Sequence, residues 1–163
     1  MTNFEKVQAK VQSWDDIKET VRRWRSEGDR IVFTNGCFDI LHYGHAYYLA
    51  QARDLGDRLI VGLNDAGSVR RLKGPHRPIH DEATRQYLLA GLQFVDAVVT
   101  FPEDTPLRLI EWIVPHILVK GGDWAPEDIV GSEVVLRNGG QVRSLDFVAG
   151  YSTSAIEKKI RSW

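Results

Sequence analysis

The sequence predicts an α/β fold, a doubly wound parallel five-stranded sheet with helices on both faces. Two observations carry that reading. Short apolar, β-branched runs recur along the 163 residues: IVFTN (31–35), RLIVGL (58–63), DAVVTF (96–101) and HILVK (116–120), with a weaker fifth inside QVRSLDF (141–147). Their apolar residues run continuously instead of alternating, which suits strands covered on both sides. The segments between them carry helical spacing. Alternating strand and helix gives parallel strands joined by right-handed crossovers. This is a Rossmann-like arrangement, and such sheets bind ligands beyond the carboxyl ends of their strands.

The elements follow in order. Residues 1–28 form a helical extension before a core spanning 30–160. Within the extension, DDIKETVRRWRSEG sets Ile17, Val21 and Trp24 on one face and meets a stop at Gly28. After the first strand, HAYYLAQARDLGD puts Ala46, Leu49, Ala50 and Arg53 at helical intervals, from a start near His45 to a stop at Gly56. DEATRQYLLAGLQ (81–93) and TPLRLIEWIV (105–114) continue the alternation. Pro106 stands early in the second of these, where its missing N–H costs little. STSAIEKKI carries a capping-box spacing from Ser154 to Glu157. With no internal repeat, low-complexity tract or flexible linker, the chain reads as one domain, 1–163.

Composition narrows the function classes. The apolar fraction is 43% and the charged fraction 26%, ordinary for a soluble globular chain. A net charge of −1 gives no global positive field, so nucleic acid is not an expected partner. An anionic ligand needs a local cluster instead. Cys37 stands alone and cannot form an internal disulfide. The N-terminus lacks the apolar core of a signal peptide, and no run has the length of a membrane span. The expectation is a cytoplasmic protein with no membrane partner.

Four stretches carry chemistry. The first strand runs into TNGCFDILHYGH, which sets Thr34, Asn35, Gly36, Cys37 and Phe38 in a turn and His42 and His45 at a helix start. Gly36 permits a close or left-handed turn, and Gly44 removes a side chain where a ligand approaches. A helix N-terminus offers unpaired N–H groups and the positive end of a dipole to phosphate. Imidazoles there donate hydrogen bonds without a fixed charge. Cys37, Asp39, His42 and His45 also include zinc-ligand types. A structural zinc site usually has four closed ligands, often paired cysteines, and no second cluster complements these. Packing alone is the third reading of the histidines.

SVRRLKGPHRPIHDEATR (68–85) holds Arg70, Arg71, Lys73, Arg77 and Arg85 around Gly74, Pro75 and Pro78. It reads as a shaped electropositive loop suited to phosphate, or else as a solvated surface loop. In VKGGDW (119–124), Gly121 and Gly122 let a planar group lie on the backbone, and Asp123 can accept from a ribose or base. In GYSTSAIEKK, Ser152, Thr153 and Ser154 precede a helix, as caps or as holders of terminal phosphates. No G-x-G-x-x-G follows the first strand and no Walker A sequence occurs, so neither a dinucleotide site nor a P-loop is predicted.

HYGH (42–45) resembles the H-x-G-H signature of the nucleotidyltransferase superfamily, and YSTSAI (151–156) resembles its second signature, I-S-T-S. The longer pattern TNGCFDILHYGH, LGDRLIVGLN, SVRRLKG, RPI and Arg85 is similar to that of adenylyltransferases that make ADP-heptose. VKGGD and GYSTSAIEKKI extend the likeness over residues 30–160. Trp124 and Tyr151 depart from the expected tyrosine and isoleucine. Cytidylyltransferases acting on glycerol 3-phosphate or choline phosphate share the skeleton, so ATP and CTP both stay open.

The resemblance implies AMP transfer from ATP to D-glycero-β-D-manno-heptose 1-phosphate, for lipopolysaccharide core synthesis. Mg²⁺ would arrive mainly on the ATP phosphates, with no metal ligands from the chain. It further implies a homo-oligomer, dimer or tetramer. Because only the short extension precedes the core, the chain looks like a stand-alone form served by a separate heptose kinase and phosphatase. His42 and His45 would hold the phosphates and stabilise the five-coordinate α-phosphorus, and Lys73 would bridge the attacking phosphate and the α-phosphate. The turn Thr34–Phe38 would touch the nucleotide phosphates, and Lys120, Gly121 and Asp123 the ribose or base. Ser152, Thr153 and Ser154 would take the β,γ-phosphates. Asn64 and Asp65 would face sugar hydroxyls, and Arg77 and Arg85 would contact substrate phosphate or secure the loop. A non-catalytic nucleotide sensor is the contrasting class.

Overall fold

The computed structural model describes residues 1–163. The five expected strands are β2 (Ile31–Gly36), β3 (Arg58–Asn64), β4 (Ala97–Phe101), β5 (Ile117–Gly121) and β6 (Gln141–Leu145). A sixth, β1 (Val11–Gln12), corrects the count: two half-buried residues pair with β4 at one edge, too short to leave a pattern. All pairings are parallel, in the order β1-β4-β3-β2-β5-β6.

That order has a consequence for ligands. From β2 the chain steps outward to β3 and β4, then returns to the other side of β2 for β5 and β6. The crevice of a doubly wound sheet opens where the order reverses, here between the carboxyl ends of β2 and β5. The HYGH turn leaves one strand and the glycine pair leaves the other.

Eight α-helices accompany the sheet. α1 (Asn3–Gln8) and α2 (Trp14–Ser26) form the N-terminal extension, and α2 buries Ile17, Thr20, Val21 and Trp24 as its spacing requires. It ends at Glu27 before Gly28, which takes φ +86°. α3 (Tyr43–Arg53) starts two residues before His45, because His42 is extended and acts as the N-cap. Its buried residues are Tyr48, Leu49 and Ala52, a face rotated from the expected one. Arg53 instead turns to Asp96 at 3.0 Å.

α4 (Ala66–Lys73) corrects the reading of residues 68–85 as a loop: Asp65 caps it by accepting from the Ser68 amide at 2.6 Å. Only residues 74–81 connect it to α5 (Glu82–Gly91), capped by Asp81. α6 (Leu107–Ile113) follows Pro106 at its N-cap. α7 (Ser132–Arg137) lies between β5 and β6, where no helix was expected. α8 (Thr153–Arg161) is capped by Ser152, whose Oγ accepts from the Ala155 amide at 3.0 Å. The capping box from Ser154 is therefore corrected: Ser154 lies inside the helix, and Glu157 pairs with Arg161 at 2.7 Å.

Alternate strand residues feed two cores. On one face Ile31, Phe33, Ile60, Val99 and Leu118 meet α2, α6 and α7; on the other Val32, Leu59, Val61, Leu63 and Val119 meet Leu49 and Ala52 of α3 and Leu89 and Ala90 of α5. Burial on both faces explains the continuous apolar runs. The doubly covered sheet is a rigid base for the loops at its carboxyl edge.

Candidate active site

Beyond β2 the backbone turns sharply. The left-handed conformations fall on Phe38 (φ +45°) and Ile40 (φ +53°), not on Gly36. Non-glycine residues held there are strained, and such strain persists only where surroundings over-determine it. Gly36 serves close approach instead: a Cβ on it would stand 2.9 Å from the Phe38 ring. Phe38 is buried in the α3 face core, as its core reading requires.

Asp39 does the over-determining. Its buried carboxylate accepts from Arg77 Nε at 2.7 Å, from the Ile79 amide at 2.7 Å and from the His80 amide at 2.9 Å. Burial pushes this carboxyl up, but the two amides and the guanidinium outweigh it and hold it below the ordinary range. Its main-chain carbonyl accepts from the Thr153 hydroxyl at 2.6 Å, which ties α8 to the turn. Arg77 also approaches Glu157 at 3.8 Å. Two separate segments, residues 77–80 and α8, thus converge on one aspartate.

Arg85 locks the other side. Fully buried, it donates through Nη1 to the Cys37 carbonyl at 3.0 Å and the Asn64 carbonyl at 2.8 Å, joining the ends of β2 and β3. Its Nε and Nη2 have no protein acceptor. Burial pushes its pKa down, with Glu82 and Asp39 opposing.

The two histidines meet at the start of α3. Their rings stack with centroids 3.7 Å apart and planes 22° apart, and the Phe38 ring stands edge-on to His45 at 5.3 Å. Gly44 makes this possible: a Cβ there would stand 3.0 Å from His42 Cε1 and 3.2 Å from Tyr151 Cβ. Both Nδ1 atoms are buried without a protein partner. Burial pushes the His45 pKa down to about 4, with His42 adding to the effect, and burial also lowers His42. Both rings are therefore neutral at pH 7. Each offers one N–H and one lone pair beside the positive end of a helix.

The remaining expected residues fall into three groups. Lys73 is exposed at the end of α4 and makes no ion pair; Asn35 and Gly36 line the turn with Cys37, whose thiol burial pushes up. Lys120, Gly121 and Asp123 lie at or just beyond the end of β5, across the crevice. A third group is occupied by the fold. The Thr34 hydroxyl pairs with Tyr48 at 2.6 Å, Asp65 caps α4, and Asn64 donates to Ser68 at 3.2 Å. Ser152 caps α8, leaving Ser154 exposed. The five cations of 68–85 likewise divide, with Arg71 drawn away to Asp104 at 2.7 Å.

Sequence reading missed the Tyr43–Tyr151 contact, centroids 4.9 Å apart, and Phe147, which covers the glycine pair. Phe147 ends the weak fifth run, QVRSLDF, with no local mark of its place against the glycine pair. No group of three or more His, Cys, Asp or Glu side chains, Cys37, Asp39, His42 and His45 included, is placed to hold a metal ion. Asp39, the only carboxylate of the turn, is already engaged by Arg77 and two amides. No helix is long and apolar enough to cross a membrane.

Neutral stacked imidazoles beside a helix N-terminus, at the switch point of a Rossmann-like sheet, are an arrangement that can receive phosphate. The cytidylyltransferase-like family matches residues 33–159, and the chain belongs to it, a family of nucleotidyltransferases. The chain is 54% identical over 154 residues to the bifunctional protein HldE of Geotalea uraniireducens and 57% identical over 151 residues to that of Histophilus somni. Those matches cover 94% and 93% of this chain but 31% and 32% of the relatives, so it spans about a third of their length. Among solved structures, a lipopolysaccharide core biosynthesis protein from Thermoplasma volcanium superposes with a TM-score of 0.60 at 28% identity, covering 74% of this chain and 98% of that one. Pantothenate synthetase from Thermus thermophilus, at 15% identity and a TM-score of 0.58, shares the fold.

Proposed function

We propose that the chain transfers AMP from ATP to D-glycero-β-D-manno-heptose 1-phosphate, giving ADP-heptose and pyrophosphate for lipopolysaccharide core synthesis. The observation that carries this reading is the neutral His42–His45 stack beside the N-terminus of α3, in a chain similar along nearly its whole length to HldE proteins. A phosphate oxygen of the sugar 1-phosphate attacks the α-phosphorus of ATP and pyrophosphate leaves. The chain supplies no nucleophile; it positions the phosphates and stabilises the charge that develops. His42 and His45 donate N–H groups to α-phosphate oxygens, with the amides that open α3 beside them. Lys73 lies on the adjoining helix end, without an ion pair to break, and balances the attacking phosphate. Asp39, Arg77 and Arg85 hold the turn in shape and so act as positioning residues.

Mg²⁺ supplies charge neutralisation of the triphosphate when bound. With Asp39 engaged and no cluster of acidic or imidazole ligands in the chain, the ion would be held by the phosphates themselves. The protein would act in the cytoplasm, as a homo-oligomer, beside enzymes that phosphorylate and dephosphorylate the heptose.

Pyrophosphate release with Mg²⁺ tests the reading, with ATP and CTP each offered heptose 1-phosphate and glycerol 3-phosphate. Release with ATP and heptose 1-phosphate alone is expected. Release with CTP and glycerol 3-phosphate would keep the chemistry and overturn the substrates. Nucleotide binding with no release in any pairing favours the sensor class.

A further inference from the structure

The glycine pair after β5 is not bare. Phe147, in the segment between β6 and α8, is 70% exposed, yet its ring rests against the backbone of Gly121 and Gly122. A Cβ built on Gly121 would stand 2.6 Å from Cε1 and 2.9 Å from Cζ of that ring, and one on Gly122 would stand 3.2 Å from Cε2. Any side chain at position 121 would therefore lift the ring off. Two more aromatics bound the shelf. The Tyr48 ring centroid lies 6.5 Å from that of Phe147, and Tyr48 is fixed by its hydroxyl bond to Thr34. Trp124 flanks Gly122, its indole N–H donating to the Gly121 carbonyl at 3.1 Å. Lys120 Nζ lies 5.6 Å from the centre of that indole.

This shelf is built for a flat ring, and it stands at the switch-point crevice, on the strand next to the one whose following turn leads to the histidines. A ring that stays 70% exposed gains little from burial, so its hold on the shelf is weak. Gly150, at φ +85°, follows in the same segment and gives the chain a turn that side chains resist.

We propose that Phe147 is an internal competitor for the Gly121–Gly122 shelf, and that a nucleotide seats its base there only by displacing the Phe147 ring. The inference rests on the nucleotidyl-transfer reading and adds to it a residue that sets nucleotide affinity. The thermodynamics are those of a site open for a fraction of the time: apparent affinity is reduced by that fraction for every ligand that needs the shelf. ATP and CTP are penalised by the same factor. A ligand with phosphates and no base is not penalised at all.

The test is equilibrium binding to the full chain of Mg²⁺ complexes of ATP, CTP and inorganic tripolyphosphate, compared with Phe147→Ala. Because Phe147 is mostly exposed, the variant keeps its fold, which circular dichroism checks. ATP and CTP are expected to bind about three- to tenfold more tightly to the variant, by a common factor, as loss of one weak ring contact implies. Tripolyphosphate is expected to bind unchanged. Unchanged or weaker ATP binding would overturn the proposal, since it means the ring is inert or stacks on the base. Equal tightening for tripolyphosphate would overturn it too, as general loosening of the segment. If the unaltered chain releases pyrophosphate from ATP while Phe147→Ala changes nothing, the competitor fails and nucleotidyl transfer stands. If the unaltered chain binds no nucleotide, both fail.

Discussion

At the scale of single residues, the proposed function rests on His45. Its ring is stacked on His42, edged by Phe38 and neutral at physiological pH. Losing one donor to a developing phosphorane costs about two to three orders of magnitude in rate. His45→Ala should therefore lower the turnover number by that amount, with nucleotide affinity less affected. Normal turnover by a folded His45→Ala protein contradicts the role. The same ring has a stability signature. Its pKa is about 4 in the folded chain, against 6.5 for an ordinary histidine. Between those values the unfolded chain binds a proton that the folded ring refuses, so stability falls as pH falls through that window. Urea midpoints at pH 7 and pH 5 should separate more for the native protein than for His45→Gln. Equal separations contradict a buried neutral imidazole.

At the scale of elements, the proposed function depends on how the segments after β2, β3 and β6 are tied together. Asp39 joins the HYGH turn to residues 77–80 through its side chain and to α8 through its carbonyl. Asp39→Asn turns one acceptor into a donor facing amides and leaves Arg77 without its carboxylate. Breaking a buried pair this way costs about 3–5 kcal/mol. Thermal unfolding should show a loss on that scale, and turnover should fall at temperatures where the variant remains folded. A loss confined to stability would make Asp39 structural only.

These ties mark where the sequence was legible and where it was not. The sheet could be read because burial on both faces makes strands 31–36, 58–64, 97–101 and 117–121 continuous apolar runs. β1 and α4 could not, since β1 is two residues long and α4 carries four exposed residues in eight. HYGH and the glycine pair could be singled out from residue type and spacing alone. That Arg77 faces Asp39, and that Arg85 faces two carbonyls, depends on contacts 21 to 48 residues away in the chain, which no local pattern encodes. Phe147 was hidden for the same reason: only the fold brings it to Gly121.

On the scale of the whole molecule, the account is that a rigid doubly wound sheet presents phosphate ligands at its switch point and adds no covalent step. The order β3-β2-β5 brings together two strand ends, one with imidazoles and one with glycines. The start of α8 is tied to the same turn through Thr153. Direct in-line displacement inverts configuration at the α-phosphorus, whereas a nucleotidylated enzyme intermediate would give two displacements and net retention. The measurement that tests this most directly is the stereochemical course with ATP made chiral at the α-phosphorus and heptose 1-phosphate as acceptor. Inversion in the ADP-heptose formed is the predicted result; retention would show that a side chain of the site acts as a nucleophile and would contradict the account.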